Sequence, residues 1–151
     1  MLPTTPEDVW AVLVDWERQA DWMLDADRVD VVSASREGVG VRLAVKTRLF
    51  GVPAFTERME VTVWDPPKRI AILHGSLVAG LGVWDLVPME GGTAFRWSED
   101  VRLHVPAVGE FAARLYRPVM STQMARAQRS LRRHIIAIGP MRSGSEDVGG
   151  G

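Results

Sequence analysis

Two neighbouring stretches decide the fold class: VRLAVKTRL at residues 41–49 and FTERMEVTV at residues 55–63. In each stretch the apolar side chains recur at every second position, which is the period of a strand with one buried and one exposed face. The turn sequence GVP at residues 51–53 separates them, so the two strands pair as antiparallel neighbours. The pattern predicts a half-buried antiparallel sheet.

Further strand patterns lie on both sides of this pair. They begin at Arg28 and cover residues 69–76, 81–87 and 93–104. Turn sequences punctuate them, DPP at residues 65–67 and EGG at residues 90–92. Such short connections favour an antiparallel sheet, because parallel strands need long crossovers.

Helical patterns flank the strands at both ends. Thr5 is a typical N-cap and Pro6 suits the first helical position of a short helix. A second short helical segment is predicted over residues 16–22. The period becomes helical again from Val105 to Ile138, with apolar residues at steps of three and four. A kink is predicted at Pro118, because proline removes a backbone donor.

This order of elements predicts an α+β domain, with helices segregated from an antiparallel sheet. The chain has 151 residues, enough for one domain with a hydrophobic core. We expect the domain over residues 1–138, and a flexible tail over residues 139–151, where glycine is frequent.

Composition argues against several classes of function. Eighteen Lys and Arg against 19 Asp and Glu give a net charge of -1, which does not suit nucleic acid or an anionic membrane surface. The absence of cysteine excludes disulfides, zinc–thiolate sites and cysteine nucleophiles. The N-terminus has no basic n-region and no apolar h-region. We therefore expect a cytoplasmic protein without stable membrane insertion.

Four segments resemble the START-like, or SRPBCC, superfamily of polyketide cyclases, dehydrases and lipid-transport proteins. They are PEDVWAVLVDWERQADW, VTVWDPPKRI, VWDLVPMEGGTAFRWSEDVRL and the C-terminal RPVM…SLRRHI. The resemblance covers about residues 4–138 and implies the helix-grip fold, a curved antiparallel sheet wrapped around a long C-terminal helix to enclose a cavity. Members range from lipid carriers to cyclases and chaperone activators, so the resemblance does not fix the chemistry.

The chain departs from that family in its first residues. Members usually begin with an edge strand ahead of the first helix, whereas here only residues 1–4 precede it. Either the first edge strand is absent or the true start lies upstream. An absent strand would leave its neighbour with unpaired backbone groups, which invites pairing with a second copy as a homodimer.

Three titratable side chains are predicted to face the interior. Glu57 and Glu99 lie on the apolar faces of their strands, and His74 follows Ile70 and Ile72 at a period of two. Carboxyl groups in an apolar surround have a raised pKa and can serve as general acid and base. The alternative is structural: the carboxylates pair with arginines or lie at the cavity rim, and the histidine is a hydrogen-bonded core residue.

Eight apolar residues are predicted to line a cavity, although core packing is the alternative for each of them. They are Met59, Trp84, Phe95, Trp97, Val101, Leu115, Met120 and Met124. No two histidines have the spacing of metal ligands, and the glycine pairs lack the setting of a dinucleotide loop. We therefore expect neither a metal nor a cofactor.

These patterns leave three functions open. The first is binding of a small hydrophobic or aromatic molecule, such as a lipid, a polyketide or an isoprenoid, with no nucleic-acid partner. The second is an enzyme of the polyketide cyclase or dehydratase type, with Glu57, Glu99 and His74 as acid–base groups. The third is a protein-interaction module, which would have a filled core and a large exposed apolar patch. The arginines of the C-terminal helix form either a solvated face or a site for an acidic group.

Overall fold

The computed structural model describes the backbone of residues 1–49, 51–75, 78–103 and 109–142. Side chains are described for the same residues except 49, 78, 103, 109–120 and 140–142. The elements are helix α1 (Pro6–Leu13), a 3₁₀ helix (Trp16–Asp21), strands β1 (Ala26–Val31), β2 (Arg42–Leu49), β3 (Val52–Asp65), β4 (Arg69–Gly75), β5 (Val78–Met89) and β6 (Gly92–Leu103), and helix α2 (Gly109–Arg142).

The six strands form one antiparallel sheet in chain order, from β1 to β6. Each strand pairs with the next along the chain, as their short connections require. Helix α2 follows the last strand, and the two short helices precede the first. The predicted α+β, helix-grip architecture is confirmed.

The first helix begins where its sequence predicts. The hydroxyl of Thr5 accepts a hydrogen bond from the backbone N–H of Asp8 at 3.3 Å, and Pro6 occupies the first turn. The helix buries Val9 and Leu13 in the core. Trp16 on the following 3₁₀ helix is also buried, and its indole N–H donates to the carbonyl oxygen of Arg36 at 2.9 Å.

The predicted absence of the first edge strand has a structural counterpart at Leu2. This residue forms an isolated antiparallel bridge with Thr93 of β6, with N–H···O distances of 2.8 Å in both directions. Gly92 permits this close approach: its φ is 150°, and a Cβ there would collide with the Leu2 carbonyl oxygen. A bridge at Leu2 thus covers the beginning of β6.

Strand β3 does not keep a single parity along its length. The sequence predicts Val63 on the inner face with Val61, but Val63 is 40% exposed. The register shifts between these residues, because Val61 pairs with Ile72 while Val63 pairs with Ala71. Such a bulge turns the following side chains over, so Trp64 faces inward and packs edge-on against Trp10, at 5.0 Å.

Helix α2 closes the inner side of the sheet through its buried residues Ala127, Leu131 and Ile135. It continues through positions 139 and 140, beyond the end that the sequence predicts. Pro118 lies within it, and the predicted kink there stays a prediction. The rest of the predicted tail, residues 143–151, lies outside the described residues. No helix in the described part of the chain is long and apolar enough to cross a membrane.

Candidate functional site

A cavity lies between the inner face of the sheet and helix α2. Its volume is about 90 Å³. At about 10–15 Å³ for each water, this is room for several water molecules. Its described apolar wall includes Met23, Phe55, Met59, Trp84, Trp97 and Met124. The rings of Trp84 and Trp97 meet edge to face, with centroids 5.8 Å apart.

Three titratable side chains from three strands meet on the cavity wall, and we call them the histidine–glutamate cluster: Glu57 of β3, His74 of β4 and Glu99 of β6. His74 Nδ1 lies 2.7 Å from Glu57 Oε1, and His74 Nε2 lies 3.5 Å from Glu99 Oε2. All three side chains are nearly buried, with 7%, 11% and 10% exposed in chain order. Among the described side chains, each glutamate therefore pairs with the histidine, whereas the structural alternative considered an arginine partner.

The register of the sheet explains how residues far apart in sequence meet here. His74 pairs with Gly80 across β4 and β5, and Gly82 pairs with Glu99 across β5 and β6. A Cβ at Gly82 would lie 3.0 Å from Glu99 Oε1 and 3.1 Å from His74 Nε2. The glycine in β5 therefore leaves the space in which histidine and glutamate approach each other over an intervening strand.

Trp97 fixes the second glutamate. Its indole N–H donates to Glu99 Oε1 at 2.6 Å, and the two residues lie on the same face of β6. The other carboxyl oxygen, Oε2, is the one that faces His74. A donor on one oxygen and an imidazole near the other hold the carboxyl group in a defined orientation.

Burial and negative charge together raise proton affinity at this wall. Burial raises the pKa of Glu99, and the neighbouring carboxylates add to this effect, against His74 and the Trp97 hydrogen bond. Burial alone would lower the pKa of His74, but its hydrogen bond to Glu57 and the negative charges around the ring outweigh it and raise that pKa. Both groups hold their protons to a higher pH than they would in water.

Asp25 is a further acidic group of the wall that the sequence did not suggest. Burial raises its pKa, and the negative charge of Glu57 adds to this effect. The strand pattern predicts a start at Arg28, whereas β1 begins at Ala26, and the Asp25 carbonyl accepts from Arg48 N–H at 2.7 Å. A strand predicted to start two residues earlier, at Ala26, would have placed Asp25 next to the sheet.

Gln19 is a second polar wall residue outside the predictions. It is buried, and its amide N–H donates to the Leu13 carbonyl oxygen at 2.7 Å. It stands three residues after Trp16, on the same side of a helical turn, so the helical period could have indicated its burial. Thr47 and Gln123 add two neutral polar groups to the wall.

The predicted lining residues fall into three groups. Met59, Trp84, Trp97 and Met124 lie on the cavity wall. Phe95 and Val101 are not among the wall residues: Phe95 packs its ring at 6.3 Å from both Trp84 and Trp97, and Val101 pairs with Gly80. They flank the wall on β6 because they lie on either side of Trp97 and Glu99. Leu115 and Met120 lie outside the described side chains.

The surroundings of the imidazole indicate what chemistry the histidine–glutamate cluster can perform. Within the described ranges, no group of three or more His, Asp or Glu side chains could hold a metal ion. Both ring nitrogens of His74 face carboxylate oxygens, whereas a metal ligand offers one nitrogen lone pair to the ion. A buried imidazole between two carboxyl groups can instead accept a proton from one side and return it on the other.

Solved structures share this fold. A protein from Thermus thermophilus superposes with a TM-score of 0.75 at 21% identity, over 90% of this chain and 92% of that one. The Zhui aromatase/cyclase from Streptomyces sp. R1128 gives a TM-score of 0.72 at 16% identity, over 91% and 90% of the two chains. The di-domain ARO/CYC StfQ from the steffimycin biosynthetic pathway gives 0.71 at 17% identity, over 95% of this chain and 49% of its own. At these identities the likeness shows the fold alone.

The sequence itself identifies the family. A search of curated proteins returns no significant match. The profile of one family, described as polyketide cyclase/dehydrase and lipid transport, matches residues 1–135, which is most of the chain. This match agrees with the sheet, the helix and the enclosed cavity described above. The chain therefore belongs to the polyketide cyclase/dehydrase and lipid transport family.

Proposed function

We propose that the protein binds a small apolar molecule with an aromatic ring system in the cavity between the sheet and helix α2. The observation that carries this proposal is a cavity whose wall combines aromatic and methionine side chains with a few polar groups. Ligand sites commonly combine an apolar lining with a few placed polar groups. Burying about 150 Å² of aromatic surface would contribute about 4 kcal/mol before the costs of association.

Blocking the cavity from one side tests this binding. Met124 lies on the cavity wall, whereas Ile136 on the same helix is 45% exposed. We expect Met124→Trp to abolish binding of 2-naphthylmethanol in isothermal titration calorimetry, and Ile136→Trp to leave it unchanged. Native mass spectrometry of protein purified from its own host should reveal a co-purifying small molecule in the unmodified chain. Equal binding by both variants would place the ligand elsewhere.

A second candidate function, acid–base catalysis of the cyclase or dehydratase type, is favoured by the histidine–glutamate cluster. In a dehydration, a base removes the proton on the carbon beside a carbonyl group, and the C–H electron pair forms the new C=C bond. The C–O bond to the neighbouring hydroxyl breaks while an acid donates a proton, and water leaves. In its neutral form His74 can act as the base, and Glu99 can donate a proton because its pKa is raised. Glu57 orients the imidazole.

Proton exchange on a ketone tests this chemistry without knowledge of the substrate. We expect the protein to accelerate the exchange of α-protons of 2-tetralone in D₂O, followed by NMR. His74→Asn and Glu99→Gln should each lower the rate by about 100-fold, the scale of one acid–base group. Glu60→Gln makes the same chemical change on the exposed side of β3 and should leave the rate unchanged. Unchanged rates in both cluster variants would leave only the binding function.

A protein-interaction module receives less support. The outer face of the sheet does expose Val63, Leu73 and Leu81, which lie on neighbouring strands. The interior, however, holds a cavity lined by titratable groups, where an interaction module would need only a filled core. Ligand binding accounts for both the cavity and its polar wall.

A further inference from the structure

We infer that the cavity selects its ligand by the charge of the ligand's polar group: it takes an apolar molecule that carries a protonated amine and rejects the matching carboxylate. This inference rests on the proposed ligand-binding function and adds a ligand class to it. The geometry that carries it is a described wall with three carboxyl groups and no Lys or Arg, on which the imidazole of His74 and the indole N–H of Trp97 already face carboxylate oxygens.

The charged groups of the wall are predominantly acidic. Asp25, Glu57 and Glu99 contribute three carboxyl groups, and His74 contributes one imidazole. Among the described lining residues none is Lys or Arg. When the three carboxyl groups are ionised they outnumber even a protonated imidazole, so an added cation then lowers the electrostatic energy of the wall and an added anion raises it.

Three donors of the described wall already have partners inside the protein, and the other two, Thr47 and Gln123, are neutral. His74 faces Glu57 at 2.7 Å through Nδ1 and Glu99 at 3.5 Å through Nε2. The indole N–H of Trp97 donates to Glu99 at 2.6 Å, and the amide N–H of Gln19 donates to the Leu13 carbonyl oxygen. A carboxylate that took its hydrogen bond from one of the three paired donors would leave that donor's present partner buried and unpaired, which is costly.

The apolar part of the wall also favours a cation. Trp84 and Trp97 present indole rings, and Phe55 presents a phenyl ring, to the same cavity as the carboxyl groups. The negative face of an aromatic ring attracts an ammonium group, and this attraction grows when water is excluded. One ligand can therefore place its ammonium group near the carboxyl oxygens while its rings contact the indoles.

Proton linkage gives this selectivity a defined pH dependence. Among the residues whose side chains are described, the titratable groups that face the cavity are Asp25 beside β1, Glu57 on β3, His74 on β4 and Glu99 on β6. The pKa values of Asp25, His74 and Glu99 are raised, so protons held on this wall at low pH are released as pH rises. The wall becomes more negative, and affinity for an amine should increase with pH until the amine itself loses its proton. A carboxylate ligand should show the opposite trend.

Three ligands with one ring system and different polar groups test the inference. They are 2-naphthylmethylamine, 2-naphthylmethanol and 2-naphthoic acid, titrated calorimetrically at neutral pH. We expect the amine to bind about tenfold more tightly than the alcohol, the scale of one charge-assisted hydrogen bond, and the acid to bind most weakly. Equal affinity of amine and alcohol, or tighter binding of the acid, would overturn the charge selectivity and leave the proposed binding function standing.

Variants locate the selectivity on the wall. Glu99→Gln should remove most of the preference for the amine over the alcohol, while binding of the alcohol reports that the cavity is intact. Glu60→Gln, an exposed position on β3, should keep the full preference. A preference that survives both Glu99→Gln and Glu57→Gln would overturn the inference. Failure of all three naphthalene ligands to bind the unmodified protein would instead contradict the proposed binding function itself.

Discussion

Asp25 and Asp27 lie two residues apart, yet their surroundings move their pKa values in opposite directions. Asp25 faces the cavity, where burial raises its pKa. Asp27 faces Arg48 and Lys46, and its hydrogen bond to Arg48 lowers its pKa. The register shift between Ala26 and Arg28 separates the two environments. An aspartate on the outer face of this sheet thus forms a solvent-exposed ion pair that lowers its pKa, whereas an aspartate beside the cavity has its pKa raised by burial.

The largest expected effect comes from removing the histidine between the two inner carboxyl groups. We expect His74→Leu to lower the free energy of unfolding by about 3 kcal/mol, because Glu57 and Glu99 then remain buried without the imidazole that lies between them. Urea denaturation at neutral pH measures this. Arg69→Leu removes the partner of Asp85 from an exposed ion pair and should change stability little. Equal losses in the two variants would contradict the distinction between inner and outer faces.

Trp97→Phe should have the next largest effect. It removes the N–H that donates to Glu99 at 2.6 Å, and a hydrogen bond to an ionised group contributes about 2 kcal/mol. Trp16→Phe is the matched change, since the indole N–H of Trp16 donates to a neutral carbonyl oxygen at 2.9 Å and is worth about 1 kcal/mol. Thermal or urea unfolding of both variants measures the difference, and a larger loss in Trp16→Phe would reverse the expected order.

Gly82→Ala should separate Glu99 from His74 at a smaller cost. The added methyl group would lie 3.0 Å from a Glu99 carboxyl oxygen, so we expect a loss of about 1 kcal/mol and a fall in the pKa of His74. An NMR titration of the imidazole signals measures that pKa. Gly75→Ala is the control, because its methyl group would meet the Arg58 carbonyl oxygen at an ordinary 3.8 Å. An unchanged His74 titration in Gly82→Ala would show that the glycine does not set the contact.

The two aspartates give the smallest and most direct test. The raised pKa of Asp25 means that the folded state binds more protons than the unfolded state, so its contribution to stability falls as pH rises from 3.8 through the folded pKa. The lowered pKa of Asp27 gives a contribution that is present above 3.8 and lost as pH falls through the folded pKa. For Asp25→Asn and Asp27→Asn, the difference in the free energy of unfolding from the unmodified chain, plotted against pH, should therefore slope in opposite directions. Slopes of the same sign would contradict the comparison.

Much of this fold follows from local patterns in the sequence. The period of two in β2, β3 and β6 predicts the strands and the inner positions of Glu57 and Glu99, and the N-cap at Thr5 predicts the first helix. The bulge at Val63 was not predictable from alternation, because an inserted residue reverses parity without altering composition. Local patterns thus identify the strands, but beyond an irregularity they do not identify the face on which each residue lies.

The assembly of the site depends on the pairing register, which a single sequence does not contain. His74 and Glu57 are 17 residues apart, and they meet only because β3 and β4 pair in one particular alignment. The role of Gly82 is visible only when β4, β5 and β6 are placed side by side. Asp25 was missed because it precedes the periodic part of β1. The sequence patterns indicate which groups face inward, and the register determines which of them touch.

The bridge between Leu2 and Thr93 has a consequence for the synthesis of the chain. Thr93 is buried and its hydroxyl donates to the Thr4 carbonyl oxygen at 2.7 Å, across a separation of 89 residues. At about 5–20 residues per second, the N-terminal residues are added to the chain about 4–18 s before their partner is made. During that interval the first helix has no sixth strand to rest on. The cavity can close only after most of the chain has been translated.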